Sequence, residues 1–257
     1  DEDPSASAES ALLCLDQGDL DGATQHIDAA SIRGEGAIVS YVRGNIAANQ
    51  GHLKAAKSYF DEAIETDPTH VRARLNRASI HMASGNAQDA LDDANVLLEL
   101  APGLALAKLR RAEANMMLTN WEAAKDDLEV IIEDAPHHHH ALTQLAACYI
   151  SMDRPEKAEA PLNEALRLAP DHTDAWHQRG LLYLDWGREE AALNDFEAAV
   201  RCDGSHLDAR LHIAAIHHEA KRFVEASGAW KGVLAIEPDH AVARRRKEEC
   251  EMAIATM

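Results

Sequence analysis

Apolar positions recur at helical spacing within short stretches of the chain, and the stretches themselves recur every 34 residues. Residues 37–70 read AIVSYVRGNIAANQGHLKAAKSYFDEAIETDPTH. Val39, Val42 and Ile46 fall on one helical face; Leu53, Ala56, Phe60, Ala63 and Ile64 fall on a second. Gly51 and its polar neighbours separate the two, and Pro68 halts the second, so the stretch predicts helix, short turn, helix. Pro68, Pro102, Pro136, Pro170 and Pro238 share the 34-residue spacing, with Gly204 in the remaining slot. Ala56, Ala90, Ala124, Ala158, Ala192 and Ala226 form a column without substitution, and no insertion or deletion breaks the register. Repetition at this period predicts stacked helical pairs, each burying its apolar face on the next.

Aligned, the units run 37–70, 71–104, 105–138, 139–172, 173–206 and 207–240. Residues 5–36 hold a weaker first unit: Gly18 and Ala23 keep the spacing of Gly51 and Ala56, but the link onward is one residue short. The first few residues are acidic and small, and expected to fray. Residues 241–257, AVARRRKEECEMAIATM, predict one more helix that caps the last unit. The whole of 1–257 is thus expected to be one array. The first helices carry a small residue at Gly44, Ala78, Ala112, Ala146, Gly180 and Ala214. Opposite the alanine column, these would let helix axes approach to the low end of the roughly 8–10 Å range. Pro161 falls inside a second helix, where a lost hydrogen bond and a slight kink are expected.

Comparing units exposes a charge pairing. Arg77, Arg111 and Arg179 share a first-helix column, and sixteen residues on stand Asp93, Asp127 and Asp195. Where the column holds Leu145 or Ile213, the partner is Pro161 or Ala229. The covariation predicts an arginine–aspartate bridge between the two helices of a unit, a structural role rather than a catalytic one. The first regular unit departs from it, with Arg43 opposite Tyr59 and Asp61 two residues further on.

Hydrophobic residues make up 46% of the chain but aromatic ones only 4%, which suits helices packed through alanine better than a large aromatic pocket. A net charge of -19 disfavours nucleic acid and anionic membrane surfaces as partners. No apolar stretch reaches the ~18 residues that span a bilayer, so no membrane insertion is expected. Cys14, Cys148, Cys202 and Cys250 are scattered, and read as buried free thiols in a reducing compartment. The start at Asp1 rather than Met suggests a processed or trimmed product. A cytoplasmic setting is favoured, while an exported form stays open. No nucleophile motif, phosphate-cradling glycine loop or HExxH is found, so neither enzyme activity nor a cofactor is expected.

The order small, aromatic, Ala, aromatic, Ala resembles the tetratricopeptide repeat; Trp176, Gly180, Tyr183, Ala192, Phe196 and Ala199 carry it most fully. The resemblance covers about residues 5–240. Gly204 in place of proline, and Ala94 where Phe60, Leu128, Leu162, Phe196 and Trp230 stand, depart from it. It implies an all-α, right-handed superhelical solenoid, about seven repeats plus the cap. First helices would line a concave groove that holds an extended peptide or partner helix.

In that family the groove-facing columns are the second, fifth, sixth and ninth residues of a unit. Here they offer Tyr41, Asn45, Arg72, Asn76 and Arg110, then a near-neutral stretch with Gln144, His177, Gln178 and His212. Asn45, Asn76 and Arg110 match three of five residues of the carboxylate clamp found in co-chaperones; Tyr41 and Leu106 stand where that clamp has lysines. Asparagine also suits a peptide backbone, because its amide donates and accepts at once. Arg72, Arg74, Lys108 and Arg110 lie outside the interhelix pairs and suggest a positive stripe for an acidic, possibly C-terminal, partner segment. Solvated helix-face residues are the plain alternative.

The resulting expectation is a non-catalytic scaffold or adaptor. Alternatives are a co-chaperone-like module, a substrate-recruiting part of a larger enzyme, and a self-assembling scaffold. Among 15 histidines, His70, His138, His172, His206 and His240 share one column after the proline slot, which favours a turn or cap role. The run His137, His138, His139 and His140 is the one cluster dense enough for weak metal binding, and no specific site is expected there. Protonating every histidine would bring the net charge to about -4, so behaviour should change below pH ~6.5.

Overall fold

A computed structural model describes residues 4–31 and 36–257. The expected fraying of the first residues and the shortened link after the first unit fall on residues 1–3 and 32–35, outside the described residues. The described chain is all helical and divides into two compact units, Asp1–Ile131 and Ile132–Met257.

The first unit holds α1 (Pro4–Asp16), α2 (Leu20–Ser31), α3 (Ala37–Asn49), α4 (Leu53–Thr66), α5 (Val71–Ala83), α6 (Ala87–Leu100), α7 (Ala105–Met117) and most of α8 (Trp121–Asp134). The second holds α9 (His139–Ser151), α10 (Glu159–Leu168), α11 (Thr173–Asp185), α12 (Glu189–Cys202), α13 (Leu207–Glu219), α14 (Phe223–Ile236) and α15 (Ala241–Ala255). Within each unit successive helices pack on one another. Helix α15 covers α14 and buries Ala243 and Cys250, whose Sγ lies 3.2 Å from His218 Nδ1 on α13.

Every member of the alanine column is fully buried, as are Ala78, Ala112, Ala146 and Ala214 opposite it. Where the small residue is glycine, the facing residue is phenylalanine. A Cβ on Gly180 would stand 2.7 Å from Cε1 of Phe196, and one on Gly44 would overlap the ring of Phe60. Both phenylalanines are fully buried.

Each unit turns midway through a residue in the left-handed region. Gly51, Gly85 and Gly187 hold it at φ 76°, 76° and 67°, and Thr119, Asp153 and Lys221 take the same slot at 61°, 59° and 57°. The proline slot lies just beyond the second helices, whose ends precede it by two residues at Thr66 and Leu100. Pro161 corrects the expected kink. The second helix there starts with a 3-10 turn, Pro155–Lys157, and α10 begins at Glu159. Pro161 therefore sits in the first turn of α10, where backbone N–H groups have no helical acceptor to lose.

The arginine column forms the bridges expected of it. Arg111 Nε and Nη2 donate to the two carboxylate oxygens of Asp127 at 2.7 and 2.6 Å, and Arg179 does the same to Asp195 at 2.7 and 2.8 Å. Arg77 Nε donates to Asp93 at 2.9 Å, and its Nη1 reaches back to Asp61 at 2.7 Å. Arg179 Nη1 likewise reaches back to Asn163 at 2.7 Å. One guanidinium thus ties three helices, the backward arm being a link that unit comparison did not reveal. The bond to Asp93 holds Arg77 well above the usual guanidinium range against burial, with Asp61 adding to it. Arg74 corrects its expected freedom: it is buried, donating to Asp93 at 3.2 Å and to the Pro68 carbonyl at 3.1 Å. The thiols divide, with Cys148 and Cys250 buried, Cys14 half-buried and Cys202 exposed; burial pushes Cys148 up to about 11.

Two stability outcomes follow from these contacts. Gly180→Ala should cost about 1–3 kcal/mol by overpacking against Phe196, and Phe196→Leu in the same chain should recover part of it. A wild-type denaturation midpoint for Gly180→Ala would contradict the close approach. Asp93→Ala removes the buried carboxylate that Arg74 and Arg77 share, leaving Arg74 only the Pro68 carbonyl and Arg77 only Asp61, and should cost about 3–5 kcal/mol. Asp127→Ala should cost less, because the Arg111 side chain is 35% exposed and water can take over its solvation.

Candidate functional site

Helices α1, α3 and α5 bring one set of the expected residues together. Tyr41, Asn45 and Asn49 on α3, Arg72 and Asn76 on α5, and Leu12, Leu15 and Asp16 on α1 line a cavity of about 400 Å³. One helical turn separates Tyr41 from Asn45 and Asn45 from Asn49, so α3 presents them in a row, and Arg72 and Asn76 form the matching row on α5. Asn76 Nδ2 donates to Asn45 Oδ1 at 2.6 Å, and Asn49 Nδ2 donates to the Asn45 carbonyl at 2.9 Å. The Asn45–Asn76 pair keeps the Asn45 N–H₂, the second N–H of Asn76 and the Asn76 amide oxygen for another partner, and exchanging the two orientations leaves the same inventory. A peptide unit, with one N–H and one C=O, can be met by an acceptor and a donor of that set.

Arg110 does not join this group. It is half-buried on α7 and donates to Glu113 at 2.6 Å. With Arg74 bound to Asp93 and Arg110 to Glu113, the expected positive stripe reduces at this cavity to Arg72, opposed by Asp16. Asn49, Leu12, Leu15 and Asp16 were not anticipated. Asn49 was recoverable as the residue one turn beyond Asn45; the contribution of α1 depends on how the irregular first unit packs.

In the second unit, Gln178 lines a different kind of cavity, also about 400 Å³. Its wall is Ala147, Ile150, Ser151, Pro155, Leu181, Leu182 and Asp185. Ala147, Ser151 and Gln178 occupy the repeat columns of Asn45, Asn49 and Asn76, so the same positions make a polar recess in one unit and a mainly apolar one in the other. Ile150 and Leu181 are each 37% exposed there. Gln144, on α9, does not line it.

His177 and His212 turn toward α12 and the start of α13. The His177 ring lies 4.7 Å from that of His206 and 5.7 Å from that of His212, which stacks on Phe196 at 4.8 Å. Burial holds His177 below its ordinary value, with His206 and His212 adding to the effect; burial also lowers His212, against Asp208. His172 is lowered by burial and then by His139, and His217 by burial and then by Arg222.

The junction histidines cap helices. Nδ1 of His70, His138, His206 and His240 accepts the N–H of Ala73, Ala141, Ala209 and Ala243 at 3.1–3.2 Å. His172 makes no such side-chain bond. In the run His137–His140, His138 is therefore engaged at Nδ1, while His139 and His140 lie 5.0 and 6.3 Å from the His172 ring. Among the described residues, no group of three or more His, Cys, Asp or Glu is placed to hold a metal ion. No helix among them is long and apolar enough to cross a membrane.

Three sequence profiles, each described as tetratricopeptide repeat, match residues 41–105, 106–138 and 145–211. No curated protein matches the chain. A tetratricopeptide repeat protein from Parabacteroides merdae has a similar structure, with TM-score 0.74 and 20% identity over 96% of this chain and 98% of that one. A chain of the APC/C hetero-tetramer Cut9–Hcn1 matches with TM-score 0.73 and 16% identity over 96% of this chain and 46% of that one. YrrB, described as a TPR protein with an unusual peptide-binding site, matches with TM-score 0.54 and 23% identity over 74% and 97%. At these identities the likeness concerns the fold.

The lowered histidines give a pH outcome with a defined sign. His172, His177, His212 and His217 sit below 6.5 when folded, so the unfolded chain takes up protons first. Their contribution is complete above about pH 6.5 and is lost as pH falls through the lowered values. Thermal unfolding followed by circular dichroism should give a lower Tm at pH ~5.5 than at ~7.5, and a smaller fall for His177→Gln/His212→Gln. An equal fall in the variant would refute the assignment to these rings.

Proposed function

The chain belongs to the tetratricopeptide repeat family, and on that premise we propose that α1, α3 and α5 hold an extended peptide segment of a protein partner. The repeat fold makes it a protein-interaction scaffold. We read it as a non-catalytic adaptor, repeats of this kind being generally non-catalytic interaction modules. The observation that carries the peptide reading is the convergence of Tyr41, Asn45, Arg72 and Asn76 on one cavity, with a bonded asparagine pair that keeps both amide donors and an amide acceptor. YrrB, a relative in fold, is itself described as having a peptide-binding site, which supports the class of ligand.

The charge balance narrows the segment. Arg72 favours one carboxylate, from a side chain or a C-terminus, whereas Asp16 on the same cavity disfavours a run of acids. This departs from a full co-chaperone-type clamp, since Tyr41 and Leu106 stand where that clamp has lysines and Arg110 is already bonded to Glu113.

Peptides selected from a random display library on the wild-type protein should bind Arg72→Ala/Asn76→Ala at least about tenfold more weakly, a difference of ~1.4 kcal/mol. Arg110→Ala should bind them unchanged, and thermal unfolding should confirm that each variant is folded. Equal affinity for the folded double variant would exclude this cavity as the site.

A further inference from the structure

The first-helix side of the second unit carries an array of imidazoles separate from the peptide cavity of the first unit; among them His206 caps α13 through Nδ1 and His212 stacks on Phe196. His139 and His140 at the start of α9 lie against His172; His177 on α11 lies against His206 and His212 at the start of α13. His172, His177, His206 and His212 are half-buried. Nε2 of His172 and of His177 is buried with no hydrogen-bond partner. A buried ring nitrogen in that condition is costly in either protonation state, and most costly as a charged N–H donor.

The charged groups acting on these rings are few. Asp171 and Asp174 act on His172, Asp174 and Asp208 on His177, and Asp208 on His212; the remaining influences are the other histidines. From α12 the packed neighbour is Phe196, which brings no charge. Asp203 acts with His206, so four carboxylates, Asp171, Asp174, Asp203 and Asp208, face six imidazoles. With the rings neutral the patch is negative; with the rings protonated its sign is reversed. In a chain of net charge -19, such a reversal is local and conditional.

We propose that this histidine array is a second docking surface, one that receives an acidic peptide segment when its imidazoles are protonated and releases it when they are neutral. A carboxylate beside the half-buried rings offsets the repulsion among protonated imidazoles 4.7–5.7 Å apart. Linkage makes the effect mutual: the bound anion favours protonation, and protonation favours the anion. The inference rests on first helices being the receiving surface, as in the first unit, but uses none of the same residues.

The test is the binding of fluorescein-labelled hexaglutamate, with labelled hexaglutamine as control, read by anisotropy at pH ~5.5 and ~7.5. The full chain is compared with His177→Gln/His212→Gln and with Arg72→Ala/Asn76→Ala. The expected result is hexaglutamate binding at least about tenfold tighter at the lower pH, lost in the histidine variant and retained in the arginine–asparagine variant. Loss in the latter alone would place the anion in the first unit's cavity and overturn the proposal. Equal affinity at both pH values, no binding at either, equal binding of hexaglutamine, or loss of the helical circular dichroism signal at the lower pH would overturn it as well.

Discussion

Two helices can cross closely only where one of them gives up its side chain. In every regular unit the eighth residue of the first helix is glycine or alanine, and the structure depends on that concession. It seats Phe60 against Gly44 and Phe196 against Gly180, and keeps the alanine column fully buried. One position earlier on the first helix of three units, Arg77, Arg111 and Arg179 bond aspartate on the partner helix, and Arg77 and Arg179 also reach the preceding second helix. Packing and charge therefore share one geometry: residues sixteen apart face each other. The polar version can be read as specification of register, since a guanidinium bonded on both sides tolerates no slip between helices.

Much of this was legible in the sequence because repetition supplies its own comparison. The helix–turn–helix unit, the small-residue column and the Arg111–Asp127 and Arg179–Asp195 bridges all follow from aligning the chain with itself. What escaped depended on contacts that do not repeat. Arg74 carries the same charge as Arg72 two residues earlier, but the helix turns it inward to Asp93. Arg110 is neutralised by Glu113 one turn on, a spacing visible in the sequence but not weighed there. Pro161 reads as a helix interior in the sequence because the regular start slot falls at Pro155; that slot opens a 3-10 turn, and the α-helix begins only at Glu159, which leaves Pro161 in its first turn. The candidate groove is less legible than the fold, since a repeat column says which helix face a residue takes while only neighbouring helices decide which residues share a cavity.

The two units use the same columns for different chemistry. Asn45, Asn49 and Asn76 make one recess polar; Ala147, Ser151 and Gln178, with Ile150 and Leu181, make its counterpart mainly apolar. A repeat scaffold separates the residues that hold it together from those that meet a partner, so either set can vary without the other.

The left-handed turn residue has a consequence for how the chain opens locally. An added Cβ at Gly51, Gly85 or Gly187 would meet nothing within 4 Å, so the slot is open space and its demand is purely one of backbone conformation. Thr119, Asp153 and Lys221 meet that demand at a cost of roughly 1–2 kcal/mol each, before the entropy that glycine would lose is counted. Half of the regular helical pairs therefore hold a small conformational debt at the hinge between their two helices. Opening at such a hinge releases strain, which lowers the free energy of local unfolding there. The repeats are alike in sequence period and graded in cooperativity, the weaker joints marked by the side chains at Thr119, Asp153 and Lys221.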